Sequence, residues 1–503
     1  MPYLMGIDNG GTFVKAGITD ERGRMLAVAR EPVHNLTPHP GFVERDMEEL
    51  WQQNVKVIRR AVEEAGIAPE EIKGISFSGH GKGLYLTDRS GHPVYRGILS
   101  TDTRAWEYVK RWKEDGTAAK VFEKTFQEIL ACQPVSLLAW IRDHEKDVLE
   151  KADYIFSVND YIRFRLTGEA AGEYTVLSGG NLVNLSTCSY DPELLELFGL
   201  EEIRGKLPPL KYSAELSGGV TREAACLTGL AEGTPAAAGM FDVDACGLAA
   251  GLDREEALCM IAGTWSINEY ITKKPVTNGT VALNSMYCMP GYFLIEESSP
   301  TSAGNMEWFI RNLLAAEQEE AKKRGESIYD LTNRWVEGIP PEELKVIFLP
   351  FLNGSAEDAQ ARGTFVGLTE FDGKAHMLRA VYEGIVFSHV THVKKLLRNR
   401  PAPKAVRLAG GAANSPVWVQ IFADALQMPV ETVSCKEQGI LGAAIAAGVG
   451  TGVFQSYEDA AGRTAEVKDI VYPREDYREI YEEKYERYQA AAEALAGVWK
   501  KFQ

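Results

Sequence analysis

The chain has 503 residues, 45% of them apolar and 25% charged, and carries a net charge of −17. That length exceeds what one core usually supports, so two or more domains are expected, and the acidic balance argues against nucleic acid or an anionic membrane as partner. Seven scattered cysteines without a CxxC pair give no zinc or disulfide signal, and with no run of about 18 apolar residues and no apolar targeting stretch a cytoplasmic protein is expected.

Taken in order, Tyr3 to Ile7 and Phe13 to Ile18 read as two short strands around Asp8-Asn9-Gly10-Gly11-Thr12. A Gly-Gly corner lets backbone N–H groups approach an anion, because no Cβ intervenes. Thr12 adds a hydroxyl donor, and Asp8 makes sense beside phosphate only as a partner of Mg²⁺. An ordinary tight hairpin would use the same residues. Met25 to Arg30 reads as a third strand. Met47 to Ala65 carries an apolar stripe at Leu50, Trp51, Val55, Ile58 and Ala61, a helix stopped by Gly66. The strand Ile72 to Phe77 leads into Gly79-His80-Gly81-Lys82-Gly83 and a further strand, Leu84 to Leu86. Three glycines within five residues mark either a bulge or a close approach of backbone to a ligand.

Small residues from Gly233 to Ala250 suit close helix–strand packing and a hinge. A second glycine corner, Gly263-Thr264, follows the apolar run Leu258 to Ala262. Two phosphate-type hairpins half a chain apart point to two related lobes closing over one nucleotide, divided here into residues 1–245 and 246–503. In the second lobe a helix is expected around Asn305 to Ala316, a strand at Val346 to Leu352 and a long helix from Ala375 to Leu397. The strand Ala405 to Ala409, the turn Gly410 to Ser415 and a helix opened by Pro416 follow. Then come the strand Val430 to Ser434, a small-residue helix Gly439 to Gly448, and a solvated amphipathic helix in the last thirty residues.

These residues resemble the FGGY carbohydrate kinases, within the actin/hexokinase/Hsp70-type ATPase superfamily, over nearly the whole chain. Gly363-Thr364-Phe365-Val366-Gly367-Leu368, seven residues, then His376 to Glu383 is similar to the family's C-terminal signature. Pro134 to Trp140 matches the N-terminal signature more loosely. Leu137 stands there in place of the family's usual Lys, so no role for that Lys is carried over. Gly11 and Thr12 likewise occupy the Thr and Ser positions of the common phosphate loop. Three stretches, Ser76 to Leu84, Ile98 to Ala105 and Gly239 to Val243, are similar to members that phosphorylate L-xylulose.

The resemblance implies an α/β, two-lobe actin-like ATPase (ribonuclease H-like) fold, with mixed sheets flanked by helices and a central cleft. It implies phosphorylation by ATP and Mg²⁺ of a ketopentose, L-xylulose foremost, to the 5-phosphate. D-xylulose, ribulose, erythritol or glycerol are the alternative substrates, and a non-catalytic nucleotide-binding member is the alternative class. Such a transfer needs a positioned alcohol, a base and charge stabilisation on the phosphoryl oxygens. Asp242 is the expected base. Asp244, two residues on, competes for that role, because on a strand both would share a face. Asp8 is the expected Mg²⁺ partner. Gly10, Gly11, Thr12, Gly263 and Thr264 are expected around the phosphates, and Lys15 is either another phosphate contact or a solvated strand residue. Gly410, Gly411 and Asn414 look like an adenosine loop, with Asn414 also able to cap the next helix. For the sugar, the resemblance implies Asp242, His80 and Lys82, then Asp102 held by Arg104, with Glu173 and Asn181 lining the pocket. Asp102 and Arg104 could instead form a surface ion pair. A homodimer is the expected assembly.

Overall fold

In a computed structural model, which describes residues 2–499 and 501, the chain divides into two units that interleave in sequence. The first comprises Met1–Arg254, Ile271–Ile295 and Cys435–Glu466; the second comprises Glu255–Tyr270, Glu296–Ser434 and Val467–Gln503. Both are built on mixed sheets flanked by helices.

In the first unit Tyr3–Asn9 runs antiparallel to Phe13–Asp20, which pairs in turn with Met25–Pro32. On its other side Tyr3–Asn9 runs parallel to Ile72–Gly79, with Asp8 opposite Ser78. The short strand Met240–Phe241 extends Ile72–Gly79, placing Met240 opposite Ser78 and Phe241 opposite Gly79. The helix Met47–Ala65 is capped by Asp46, whose side chain accepts from Glu49 N, and ends at Gly66 in the left-handed region. Its stripe of Leu50, Trp51, Val55 and Ile58 packs with Met5, Ile7, Val14 and Phe77 of the sheet. A second core holds Leu84, Trp112, Leu138 and Leu177. The helix Gln438–Gly450, small-residued and apolar all round, is buried over almost its whole length.

In the second unit the same local plan recurs. Cys259–Ala262 pairs antiparallel with Ser266–Thr272 across a glycine corner and parallel with Val406–Ala409. Val430–Val433 and Val467–Val471 complete that side of the sheet. The helix Lys374–Leu396 is buried from Leu378 through Val390, which explains its weak amphipathic pattern.

The last helix, Arg478–Trp499, is docked rather than solvated as the sequence had indicated. Tyr481, Tyr485 and Tyr488 are buried, and Lys484 Nζ reaches Glu383 Oε2 at 2.5 Å. Arg379 Nε pairs with the other oxygen of Glu383 at 3.0 Å, so two signature residues anchor this helix. Charges that read as a solvated face are here partners inside the fold.

Candidate active site

Asp8 lies at the carboxyl end of Tyr3–Asn9, where its Oδ1 accepts from Ser78 Oγ at 2.8 Å. A Cβ on Gly439 would stand 2.9 Å from its carboxylate, so only glycine lets the first turn of Gln438–Gly450 come this close. Burial pushes the Asp8 carboxyl above the usual range, and the Lys15 charge and the Ser78 hydroxyl offset this only in part. Lys15 is the cross-strand neighbour of Asp8, and its Nζ pairs with Glu437 Oε2 at 2.7 Å. Burial works against the Lys15 ammonium, but the bond to Glu437 and the charge of Asp8 prevail and raise its pKa. Lys15 is thus one half of an ion pair at the strand end rather than a solvated strand residue.

Gly11 and Thr12 are exposed at the tip of the hairpin, beside Gly10. Their loop is tied back through its carbonyls. Asn35 Nδ2 donates to Gly11 O at 3.0 Å, and the buried Arg45 guanidinium reaches Gly10 O and Gly11 O, each at 3.4 Å. Gly10 N donates to Phe13 O at 3.1 Å across the hairpin, so with carbonyls held on one side the Gly11 and Thr12 N–H groups are those left to face an anion.

Asp242 opens the helix Asp242–Ala249 directly after the strand Met240–Phe241. Asp8 and Asp242 therefore stand at the carboxyl ends of two strands that flank the same strand, Ile72–Gly79. Carboxyl ends of neighbouring strands are where open α/β sheets bind ligands. The shared face expected for Asp242 and Asp244 is corrected: both lie in the first helical turn, where residues two apart point about 200° from one another. Asp244 is buried and its Oδ1 accepts from Cys288 N at 3.0 Å, whereas Asp242 keeps partial exposure.

Of the expected sugar residues, Lys82 and Asp242 are open and the others turn inward. His80 is buried, its Nε2 is 2.9 Å from Tyr85 Oη, and burial together with the Arg45 charge lowers its pKa to about 3. Lys82, expected beside His80 at the sugar, takes the left-handed conformation, with φ 63°. The Lys82 ammonium stands 5.8 Å from the centre of the Phe241 ring, the residue before Asp242. Asp102 and Arg104 are no surface pair. Arg104 Nη2 binds Asp102 Oδ2 and Glu44 Oε1, each at 2.8 Å, with its guanidinium 4.0 Å from the Phe42 ring centre. Gly83 N donates to Cys132 O at 2.8 Å and Leu84 N to Ile98 O at 3.0 Å, so the glycine turn adjoins the segment that leads to Asp102.

Glu173 and Asn181 are also buried. Asn181 Nδ2 donates to Gln133 Oε1 at 2.7 Å, and its backbone is left-handed with φ 60°. Glu173 caps the short helix Tyr174–Ser178, accepting from Thr175 N at 2.9 Å and Val176 N at 3.1 Å. Burial pushes its carboxyl up to about 7 despite these donors.

In the second unit the two expected nucleotide loops meet. Thr264 is exposed at the corner after Ala262, with Gly263 beside it. Gly410 has φ 85°, and a Cβ there would lie 2.6 Å from Ala262 O and 3.1 Å from Gly263 N. Gly411 and Asn414 are exposed in the turn that follows. Capping of the next helix falls to Ser415, which accepts from Trp418 N at 3.3 Å, so Asn414 is not needed for it.

Three residues without a sequence signal hold these loops. Arg45 ties back the first glycine corner, and Thr175 Oγ1 accepts from Phe241 N at 2.8 Å, just before Asp242. His389, in the signature helix, bridges Asn268 Oδ1 at 2.8 Å and Ser302 Oγ at 2.9 Å beneath the Thr264 corner. Burial lowers the His389 pKa to about 3, so it serves as a neutral bridge. Each acts through contacts distant in sequence, which periodicity and motif spacing do not register.

Residues 3–249 match the N-terminal domain of the FGGY family of carbohydrate kinases, and residues 258–451 match its C-terminal domain. The L-xylulose/3-keto-L-gulonate kinase of Escherichia coli (strain K12) is 38% identical over 497 residues, 98% of this chain and 97% of the relative. The probable L-xylulose kinase of Pasteurella multocida (strain Pm70) is 39% identical over 499 residues, 99% of this chain and 100% of the relative. In fold, the chain is similar to the crystal structure of a ligand-bound xylulose kinase from Lactobacillus acidophilus. That similarity has a TM-score of 0.90 at 23% identity and covers 100% of both chains.

Proposed function

This chain belongs to the FGGY family of carbohydrate kinases, with ATP as the phosphoryl donor, and we propose that its acceptor is a ketopentose, L-xylulose foremost, phosphorylated at the 5-hydroxyl. One observation carries the mechanism: Asp8 and Asp242 stand at the carboxyl ends of strands flanking Ile72–Gly79. Two carboxylates so placed divide the labour of phosphoryl transfer. Asp242, partly open at the start of its helix, accepts the proton of the sugar hydroxyl as that oxygen bonds the γ-phosphorus and the bond to ADP breaks. Lys82, beside Phe241, donates to the sugar. Gly11 and Thr12 offer N–H and hydroxyl donors to phosphate at the corner that Gly10 opens. Gly263 and Thr264 serve phosphate, and Gly410, Gly411 and Asn414 the adenosine.

Asp8 would hold Mg²⁺ through water. A carboxylate whose pKa burial has raised gains from a nearby dication, which supports the fit. Among the described residues no group of three or more His, Cys, Asp or Glu could hold a metal ion by itself. A magnesium ion carried mainly by phosphate oxygens and water needs only one such carboxylate. When bound it would neutralise charge on the phosphates.

A keto sugar acid is the second reading. Lys82 favours it, since among the described residues its ammonium has no carboxylate in ion-pair contact. The seven free cysteines fit a reducing cytoplasm, and no helix among the described residues is long and apolar enough to cross a membrane. ADP release over L-xylulose, D-xylulose, ribulose, erythritol, glycerol and 3-keto-L-gulonate tests the proposal. The highest kcat/KM is expected with L-xylulose. Higher efficiency with a polyol than with either ketose or acid would refute it.

A further inference from the structure

The segment that delivers Asp242 is held peptide by peptide. Met240 O accepts from Asn159 Nδ2 at 2.7 Å, Gly239 N donates to Ser213 O at 3.1 Å, and Phe241 N donates to Thr175 Oγ1 at 2.8 Å. The last of these is set by another group. Thr175 Oγ1 donates its single proton to Glu173 Oε2 at 2.6 Å, so only its lone pairs remain to face the Phe241 N–H. Glu173 is fixed in turn, with Oε1 accepting from Ser213 Oγ at 2.8 Å and Oε2 from the N–H groups of Thr175 and Val176. Glu173 and Thr175 are both fully buried. Glu173 is therefore tied to the Asp242 segment at two points, through Thr175 to Phe241 and through Ser213 to Gly239.

We propose that Glu173 and Thr175 are positioning residues for Asp242: the Glu173 carboxyl orients the Thr175 hydroxyl, and that hydroxyl fixes the Met240–Phe241 peptide, the one before the peptide that joins Asp242. Glu173 on this account does not line the sugar pocket, because both its oxygens are committed inside the fold. The proposal rests on the reading of Asp242 as the base. Its physical basis is that a misplacement of about 1 Å at a reacting group costs about 10²-fold in rate. A buried hydroxyl bonded to the residue before Asp242 controls displacements of that size, whereas substrate affinity is set elsewhere.

Steady-state kinetics of the full-length enzyme test it, using Thr175→Val and Thr175→Ser alone and Thr175→Val combined with Asp242→Asn. Thr175→Val should lower kcat about 10- to 100-fold while KM for sugar and ATP stays within about twofold. Thr175→Ser keeps the acceptor and should restore kcat. In the Asp242→Asn background Thr175→Val should cost nothing more, because no base remains to be positioned. An unchanged kcat for Thr175→Val with a normal Asp242→Asn loss overturns the relay alone. A full further loss in the double variant also overturns it, marking a general effect on the fold. If Asp242→Asn itself keeps more than about a tenth of turnover, the base assignment fails and the relay with it. Should Val at position 175 not give folded protein, Thr175→Ala removes the same acceptor and is read by the same criteria.

Discussion

The Ser78 hydroxyl donates to the Asp8 carboxylate at 2.8 Å across two parallel strands, and Ser78 is at once the register partner of Met240, two residues before Asp242. One residue of the central strand thus sits between the two acids on which the chemistry is proposed to depend. A Ser78→Ala change removes a donor to Asp8 without disturbing the ladder, since the strand's backbone bonds do not involve the side chain.

Asp8→Ala should therefore weaken the use of MgATP and leave sugar affinity nearly intact. Kinetics at varied MgATP should show at least about a tenfold drop in kcat/KM for the nucleotide. Ser78→Ala should produce a smaller change in the same parameter. Calorimetry in which Asp8→Ala abolishes sugar binding instead would make Asp8 a pocket or structural residue.

Lys82 and His80 should separate cleanly. Lys82→Ala is expected to raise the KM of the best sugar by an amount corresponding to about 1–3 kcal/mol, with little change in the KM for ATP. His80 is buried against Tyr85 and held neutral, so His80→Gln should act mainly on stability. Melting temperatures and a substrate panel for the two variants decide this. An altered sugar ranking in His80→Gln at unchanged stability would bring His80 back to the pocket wall.

Glu173 gives a pH signature with a definite sign. Its carboxyl, ordinarily near 4.5, is pushed up to about 7 by burial, so the folded state holds a proton that the unfolded chain has released across that window. Stability contributed by this group is thus greatest at low pH and declines as pH rises from about 4.5 through 7. Gln at this position keeps an acceptor for Thr175, offers a donor to Ser213 and does not titrate. Denaturant unfolding between about pH 5 and pH 8 should show Glu173→Gln gaining on the wild type as pH rises, by up to about 3 kcal/mol. A difference that is flat with pH would mean the carboxyl titrates alike in both states.

What the sequence disclosed and what it hid follow from the range of the interactions. Met47–Ala65 was legible to the residue, because its stripe and its stop at Gly66 are local. The glycine corners and the strands around them were legible for the same reason. Orientation was not. Asp242 and Asp244 part company because a helix begins at the first of them, and a two-residue strand gives no periodicity to reveal the switch. Lys82 takes a left-handed backbone that no residue type announces. Lys484, which read as a charge on a solvated helix face, is buried and pairs with Glu383, 101 positions away. Arg45 and Thr175 are single residues whose roles exist only in the folded chain.

A carbohydrate kinase in which Asp242 takes the proton from the sugar hydroxyl depends on that carboxylate for turnover. The most direct measurement is ADP release by Asp242→Asn against the wild type at saturating L-xylulose and MgATP, with nucleotide affinity followed in parallel. The amide keeps the shape of the carboxylate but cannot accept the proton. Turnover should fall about 10²- to 10⁴-fold with nucleotide affinity little changed. Turnover above about a tenth of wild type would contradict the account and move the base away from Asp242.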